Sequence, residues 1–178
     1  METAKPFGEF ARYTFLSVLG MIAISCYILA DTFFVSSSLG TNGLAALNLA
    51  IPAYNFVHGT GLMLGMGGAT RFSILKSRRE NAAADGVYTN TLYLSALFSL
   101  LFFLVGLLFA SPLTALLGAD EAIFPMSRTY LQVMLLFSPA FILNDVFLCF
   151  VRNDGNPRLA MITTVTSSLS NVVLDYLF

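Results

Sequence analysis

With 178 residues, 57% of them hydrophobic and 11% charged, this chain carries about half the charge of an ordinary soluble domain, and its net charge is −1. Mean hydropathy is +0.78, and the charges cluster so that apolar runs of about 20 residues, the length a spanning helix needs, lie between them. A water-soluble globule is excluded, and so is a nucleic-acid partner, because no basic patch is present to meet a phosphate backbone. The pattern predicts an all-α integral membrane protein.

Residues 1–9 read as a short lead and not as a cleavable signal, since they lack a basic n-region and a small-x-small cleavage site. Span 1 runs from about residue 10 to 37. The stretch Leu39-Gly-Thr-Asn-Gly43 breaks it, because Gly and Asn supply the positive-φ positions of a tight reversal. Span 2 covers about 44–70 and contains Pro52, expected to bend it with the freed carbonyl satisfied inside the bundle. Gly61, Gly65 and Ala69 recur every fourth residue, making a smooth stripe where another helix can come close.

After a polar loop at 71–85, span 3 covers about 86–110 and is almost wholly Leu, Phe and small residues. Residues 111–125 connect it to span 4, about 126–151, which Pro139 interrupts. The turn Arg152-Asn-Asp-Gly-Asn-Pro-Arg158 leads into span 5, which runs from 159 to the last residue, 178. Cys26 and Cys149 both fall inside spans, where they read as small packing residues.

Orientation follows from the basic residues. Lys5, Arg12, Arg71, Lys76, Arg78, Arg79, Arg152 and Arg158 fall on one side of the five-span arrangement and only Arg128 on the other. The positive-inside rule then places the N-terminus in the cytoplasm of a multi-pass protein of the cell membrane. The loop cations read as a topology signal and as contacts to lipid headgroups.

The acids inside the spans carry the functional signal. Asp31 in span 1 and Asp175 in span 5 are costly in a bilayer unless they face a polar cavity or a partner. At ~1.5 Å per residue they lie ~28 Å and ~24 Å from the cytoplasmic starts of their spans, at a similar level, so pairing is geometrically allowed. Two carboxylates in one cavity would share a proton, and a cation or cargo molecule entering would displace it. Asn171, four residues before Asp175, lies on the same helical face. The bland alternative is a packing role for all three.

Asp145 lies near the cytoplasmic end of span 4, at a different level. His58 is the single histidine, placed near mid-membrane, where an interior packing role is the alternative to a part in transport. Asn48 and Asn55 share a face of span 2, and cavity lining and interhelical hydrogen bonding explain them equally well.

Tyr27-x-x-Ala-Asp31-Thr-Phe-Phe-Val, then Leu39-Gly40, Leu44-Ala-Ala46 and Pro52, resemble the first two helices of multidrug and toxic compound extrusion (MATE) transporters. Gly65-Met-Gly-Gly-Ala-Thr-Arg71 resembles the close of that family's second helix, and Arg152 with Asp154-Gly155 and Asn171-Val-Val-Leu-Asp175 resembles its fourth loop and fifth helix. The resemblance implies a twelve-helix transporter of two six-helix lobes, of which five spans are present here.

It further implies export of small amphipathic, cationic compounds in exchange for protons or sodium ions. By matched position Asp31, Asn171 and Asp175 would bind the coupling ion, with sodium, if that is the ion, at Asp31 and Asp175. Tyr27 would line the same cavity, with Asn48, Asn55 and Asp145 as further cavity candidates. No other cofactor or metal and no enzymatic activity is implied. Two positions depart from the pattern: Leu16 stands where many relatives carry a helix-bending proline, and Leu148 where some carry an asparagine. Asp145, one turn before Leu148, either replaces that asparagine or marks the helix end.

Two alternatives stand beside multidrug efflux. A lipid-linked oligosaccharide flippase of the same superfamily would carry cationic residues in its cavity, and the sequence reading places none there. An inactive truncated transporter is the other, because the chain stops before a sixth helix. Activity then needs a second lobe from further residues, another chain or self-association.

Overall fold

A computed structural model describes residues 6–177, apart from the side chains of residues 6, 7, 9, 12, 13 and 175. The side chains of Arg12 and Asp175, and all of Lys5, therefore lie outside the described residues. The described chain is helical throughout and contains no strand: α1 Pro6–Ser77, α2 Asn81–Leu116, α3 Phe124–Leu136, α4 Ser138–Asn153 and α5 Pro157–Leu177.

A straight helix of the 72 residues in α1 would be roughly 108 Å long, several times the thickness of a bilayer. Gly40 divides it. Its φ of 65° and ψ of −155° are outside the helical range and in a region that favours glycine. Residues on either side, Tyr27 and Tyr54, line one cavity, so the two arms (6–39 and 41–77) fold back beside each other. Pro52 is accommodated inside the second arm.

Helix α1 from Thr14 onward and helix α2 are long and apolar enough to cross a membrane, and α3 with α4 meets the same standard as one span bent by 47°. That bend falls at Phe137, with Pro139 in the first turn of α4. Helix α5 is the polar member of the bundle. Six of its residues are Ser or Thr, and the hydroxyls of Thr163, Thr164 and Ser170 donate back to the helix, as Thr164 does to the carbonyl of Ala160 at 2.9 Å.

Packing follows the membrane rule of small residues inside and large apolar ones outside. On α2 the buried positions are Ala84, Thr91, Ser95, Ser99, Gly106, Ala110 and Thr114, one stripe of small side chains. Leu97, Leu101, Leu104 and Leu108 of the same helix are exposed. At one end of the bundle Phe72, Tyr88 and Phe150 interlock α1, α2 and α4, with ring centroids 5.0–6.4 Å apart. Cys149 is buried, as a packing residue should be, whereas Cys26 is exposed on the outer side of the first arm. That corrects its expected burial: a thiol inside a span packs only if its face of the helix turns inward.

Candidate functional site

The second arm of α1 approaches α4 along its glycine stripe. A Cβ added at Gly65 would lie 3.0 Å from the Cα of Val146, and one at Gly61 would lie 2.8 Å from Asp145 Oδ2 and 3.2 Å from the Cα of Ile142. The missing side chain of Gly61 thus makes the space that the Asp145 carboxylate fills. One turn along the same arm, His58 Nδ1 meets Asp145 Oδ2 at 2.7 Å. The side chain of Asp145 is only 8% exposed and that of His58 is 40% exposed, so the acid is enclosed and the imidazole reaches into open space.

Aromatic rings hold the imidazole in place. Tyr54, one turn before it, stacks on it nearly parallel (5.7 Å, 7°), and Phe141 of α4 meets Tyr54 edge-on at 5.8 Å. An ionised carboxylate can only accept, so with Asp145 ionised it is Nδ1–H of His58 that donates, and Nε2 is the other ring nitrogen.

The open space is a cavity of about 440 Å³ enclosed by both arms of α1, α4 and α5. Tyr27, Tyr54, His58 and Asp145 line it, and α5 contributes the hydroxyl-bearing Thr164, Ser167 and Ser168. Arg152 also lines it, which corrects the reading that placed no basic residue there. Arg152 stands in the last turn of α4.

Of the residues singled out in the sequence, the structure brings Tyr27, His58 and Asp145 to this cavity, together with Leu16 and Leu148, the two positions that depart from the family pattern. Asp31 is one turn beyond Tyr27, half-buried, and close enough for its charge to act on Tyr130 of α3. Tyr27 lies near both Tyr130 and Tyr54. Asp175 lies in the last turn of α5, its side chain outside the described residues, and its neighbour Tyr176 meets Phe34 of the first arm at 6.5 Å. The backbones around residues 31–34 and 175–176 are therefore at one level. Asn171 is exposed on α5, and Asn48 and Asn55 are exposed on the second arm, away from the cavity lining.

Sequence reasoning weighed His58 and Asp145 separately and missed their contact. It also passed over Tyr54 and Tyr130. Asp145 lies eight residues before the end of α4 and His58 nineteen before the end of α1, so distance counted from the loops puts them at unequal depths. The one available signal was Gly61, three residues from His58 in a stripe already assigned to close helix contact.

Residues 17–177 match the MatE family. The multidrug export protein MepA of Staphylococcus aureus (strain MRSA252) is 25% identical over 174 residues, covering 98% of this chain and 39% of MepA. Among solved structures, the MATE multidrug transporter DinF-BH, solved as a complex, is 28% identical with a TM-score of 0.89, covering 98% of this chain and 39% of that one. A MATE protein in complex with MaD3S is 27% identical with a TM-score of 0.87, covering 94% and 38%. The chain thus spans about two-fifths of the length of the relatives it matches.

Proposed function

Because this chain belongs to the MatE family, we propose that it forms the amino-terminal lobe of a multidrug efflux transporter of the cell membrane, with its N-terminus in the cytoplasm. It exports small amphipathic, cationic compounds in exchange for protons or sodium ions. The observation that carries this reading is the cavity between the two arms of α1, α4 and α5, whose wall-forming helices bear Asp31, Asn171 and Asp175 in spans that are otherwise short of charge.

Antiport requires that ion and cargo exclude each other. A carboxylate pair on the first arm and α5 does this: with a proton or sodium ion bound its charge is compensated, and without one it attracts a cationic cargo. Asp31 and Asp175 take the ion, Asn171 steadies the carboxylate one turn away, and Tyr27 offers an aromatic face to the cargo. Contact between Phe34 and Tyr176 supports the equal level of the two acids. Alternating access by two lobes rocking against each other needs a second lobe, from further residues of a longer protein or from a partner chain.

The test is efflux of a fluorescent organic cation from proteoliposomes, driven in one arm by a pH gradient and in the other by a sodium gradient. Asp31→Asn and Asp175→Asn serve as variants. Gradient-driven efflux that each variant abolishes is expected of the assembled transporter, and the effective gradient identifies the ion. Efflux that both variants leave intact rules out the coupling site.

A further inference from the structure

The transport reading leaves one buried ionisable contact without a role: His58 of the second arm on Asp145 of α4. An enclosed carboxylate is tolerated when it is paired and hydrogen-bonded. Here the hydrogen-bond partner is the chain's single histidine, the side chain type that exchanges protons in the physiological range. Both groups line the cavity, but the acid is enclosed (8% exposed) and the imidazole is open (40% exposed), which gives a proton a route to one partner and shelter beside the other.

We propose that His58 and Asp145 form a proton-binding site of their own, distinct from the site at Asp31, Asn171 and Asp175. One proton adds at Nε2 of His58. The pair then carries no net charge; when the proton leaves, the net charge is −1 beside the cavity. A monovalent cation in the cavity is therefore favoured by loss of that proton, and the proton by loss of the cation.

The groups facing the pair are Tyr54 on its own arm, Tyr27 on the first arm, Tyr130 of α3 through Tyr54, and Cys149 and Arg152 of α4. From α5 the described lining offers hydroxyls and no charge. Among the described residues Arg152 is the one permanent cation in the lining, and Asp145 is the one carboxylate. The site's use in coupling rests on the transport reading; its existence does not.

A lone histidine makes the test direct, because histidine-selective ¹⁵N labelling of the full chain in lipid nanodiscs yields one imidazole. Its shifts are followed from acid to alkaline pH in the unaltered chain, Asp145→Asn, Asp31→Asn and Asp175→Asn. A single titration step is expected, with the neutral form carrying its proton on Nδ1. The step moves in Asp145→Asn and holds in the other two variants.

An imidazole that does not titrate, a neutral form protonated on Nε2, or a step that Asp145→Asn leaves in place overturns the site. A step that moves as far in Asp31→Asn or Asp175→Asn overturns its independence. The tautomer is read in the unaltered chain, so misfolding of a variant does not rescue the proposal. Absence of gradient-driven efflux by the assembled two-lobe transporter alongside a positive ¹⁵N result removes the transport reading and leaves the proton site.

Discussion

Two polar regions of this bundle are built on opposite plans. Between the second arm of α1 and α4, the glycine stripe closes the helices until Asp145 is buried and held at 2.7 Å by His58. Between the first arm and α5, Asp31 is half-buried, Asn171 is exposed, and six hydroxyl residues dilute the apolar surface of the helix. A carboxylate in the first region is fixed by packing, so altering it should disturb the fold. One in the second is less enclosed, so altering it should disturb the fold less and, if the proposed coupling site is right, remove ion binding. The separation between stability and transport is the comparison to break.

The largest effect belongs to the glycines. A Cβ at Gly65 would already stand 3.0 Å from the backbone of Val146 and 3.1 Å from Cys149 Sγ. Gly65→Val adds two further methyl groups and is expected to cost about 3 kcal/mol through overpacking. Gly61→Ala, whose methyl would press on the Asp145 carboxylate, is expected to cost about 1–2 kcal/mol. Reversible unfolding in mixed micelles measures both. If Gly65→Val unfolds at the same detergent fraction as the unaltered chain, the close approach of α1 and α4 is wrong.

The pair itself comes next. His58→Leu strands the Asp145 carboxyl in an apolar setting, and a loss of about 2 kcal/mol is expected, discounted because the imidazole is 40% exposed. The double variant His58→Leu with Asp145→Leu removes both polar groups and should recover most of that loss. A double variant no more stable than His58→Leu alone would show that something other than a stranded carboxyl causes the cost.

In the opposite region Asn171→Ala should change stability by no more than about 0.5 kcal/mol, because the side chain is exposed. It should nevertheless weaken ion-driven efflux by the assembled transporter. A clear loss of stability with transport intact would reverse the contrast between the two regions.

These contrasts separate what was legible in the sequence from what was not. Helix number came from apolar run length, the close contact from Gly61, Gly65 and Ala69, and the broken span from Pro139, since each is a local property of composition or spacing. The inward and outward faces were harder to read. Cys26, Asn48 and Asn55 are exposed, and which face a residue turns to the bundle depends on helix rotation, which an all-round apolar segment does not record. The His58–Asp145 contact needed the relative height of two helices. Because α1 runs on well past His58 while α4 stops soon after Asp145, counting from the loops misplaces one against the other.

The smallest expected effect supplies the baseline for burial. Where the same two helices end there is a second pair, Lys76 Nζ of α1 on Asp154 Oδ1 just past α4 at 3.1 Å, with the two side chains 46% and 53% exposed. It lies beyond the packed interface, where water solvates both charges and holding two flexible side chains in one geometry offsets much of the attraction. Lys76→Ala also removes the ammonium 5.0 Å above the buried Phe72 ring, a contact open to solvent on its lysine side. The combined loss should be within about 0.5 kcal/mol, and what there is should shrink in added salt. His58→Leu should cost severalfold more and be nearly insensitive to salt, because the Asp145 carboxyl that it strands is enclosed. Equal losses in the two variants would mean that enclosure by the glycine stripe adds nothing to the buried pair, and the physical distinction between the two regions would go with it.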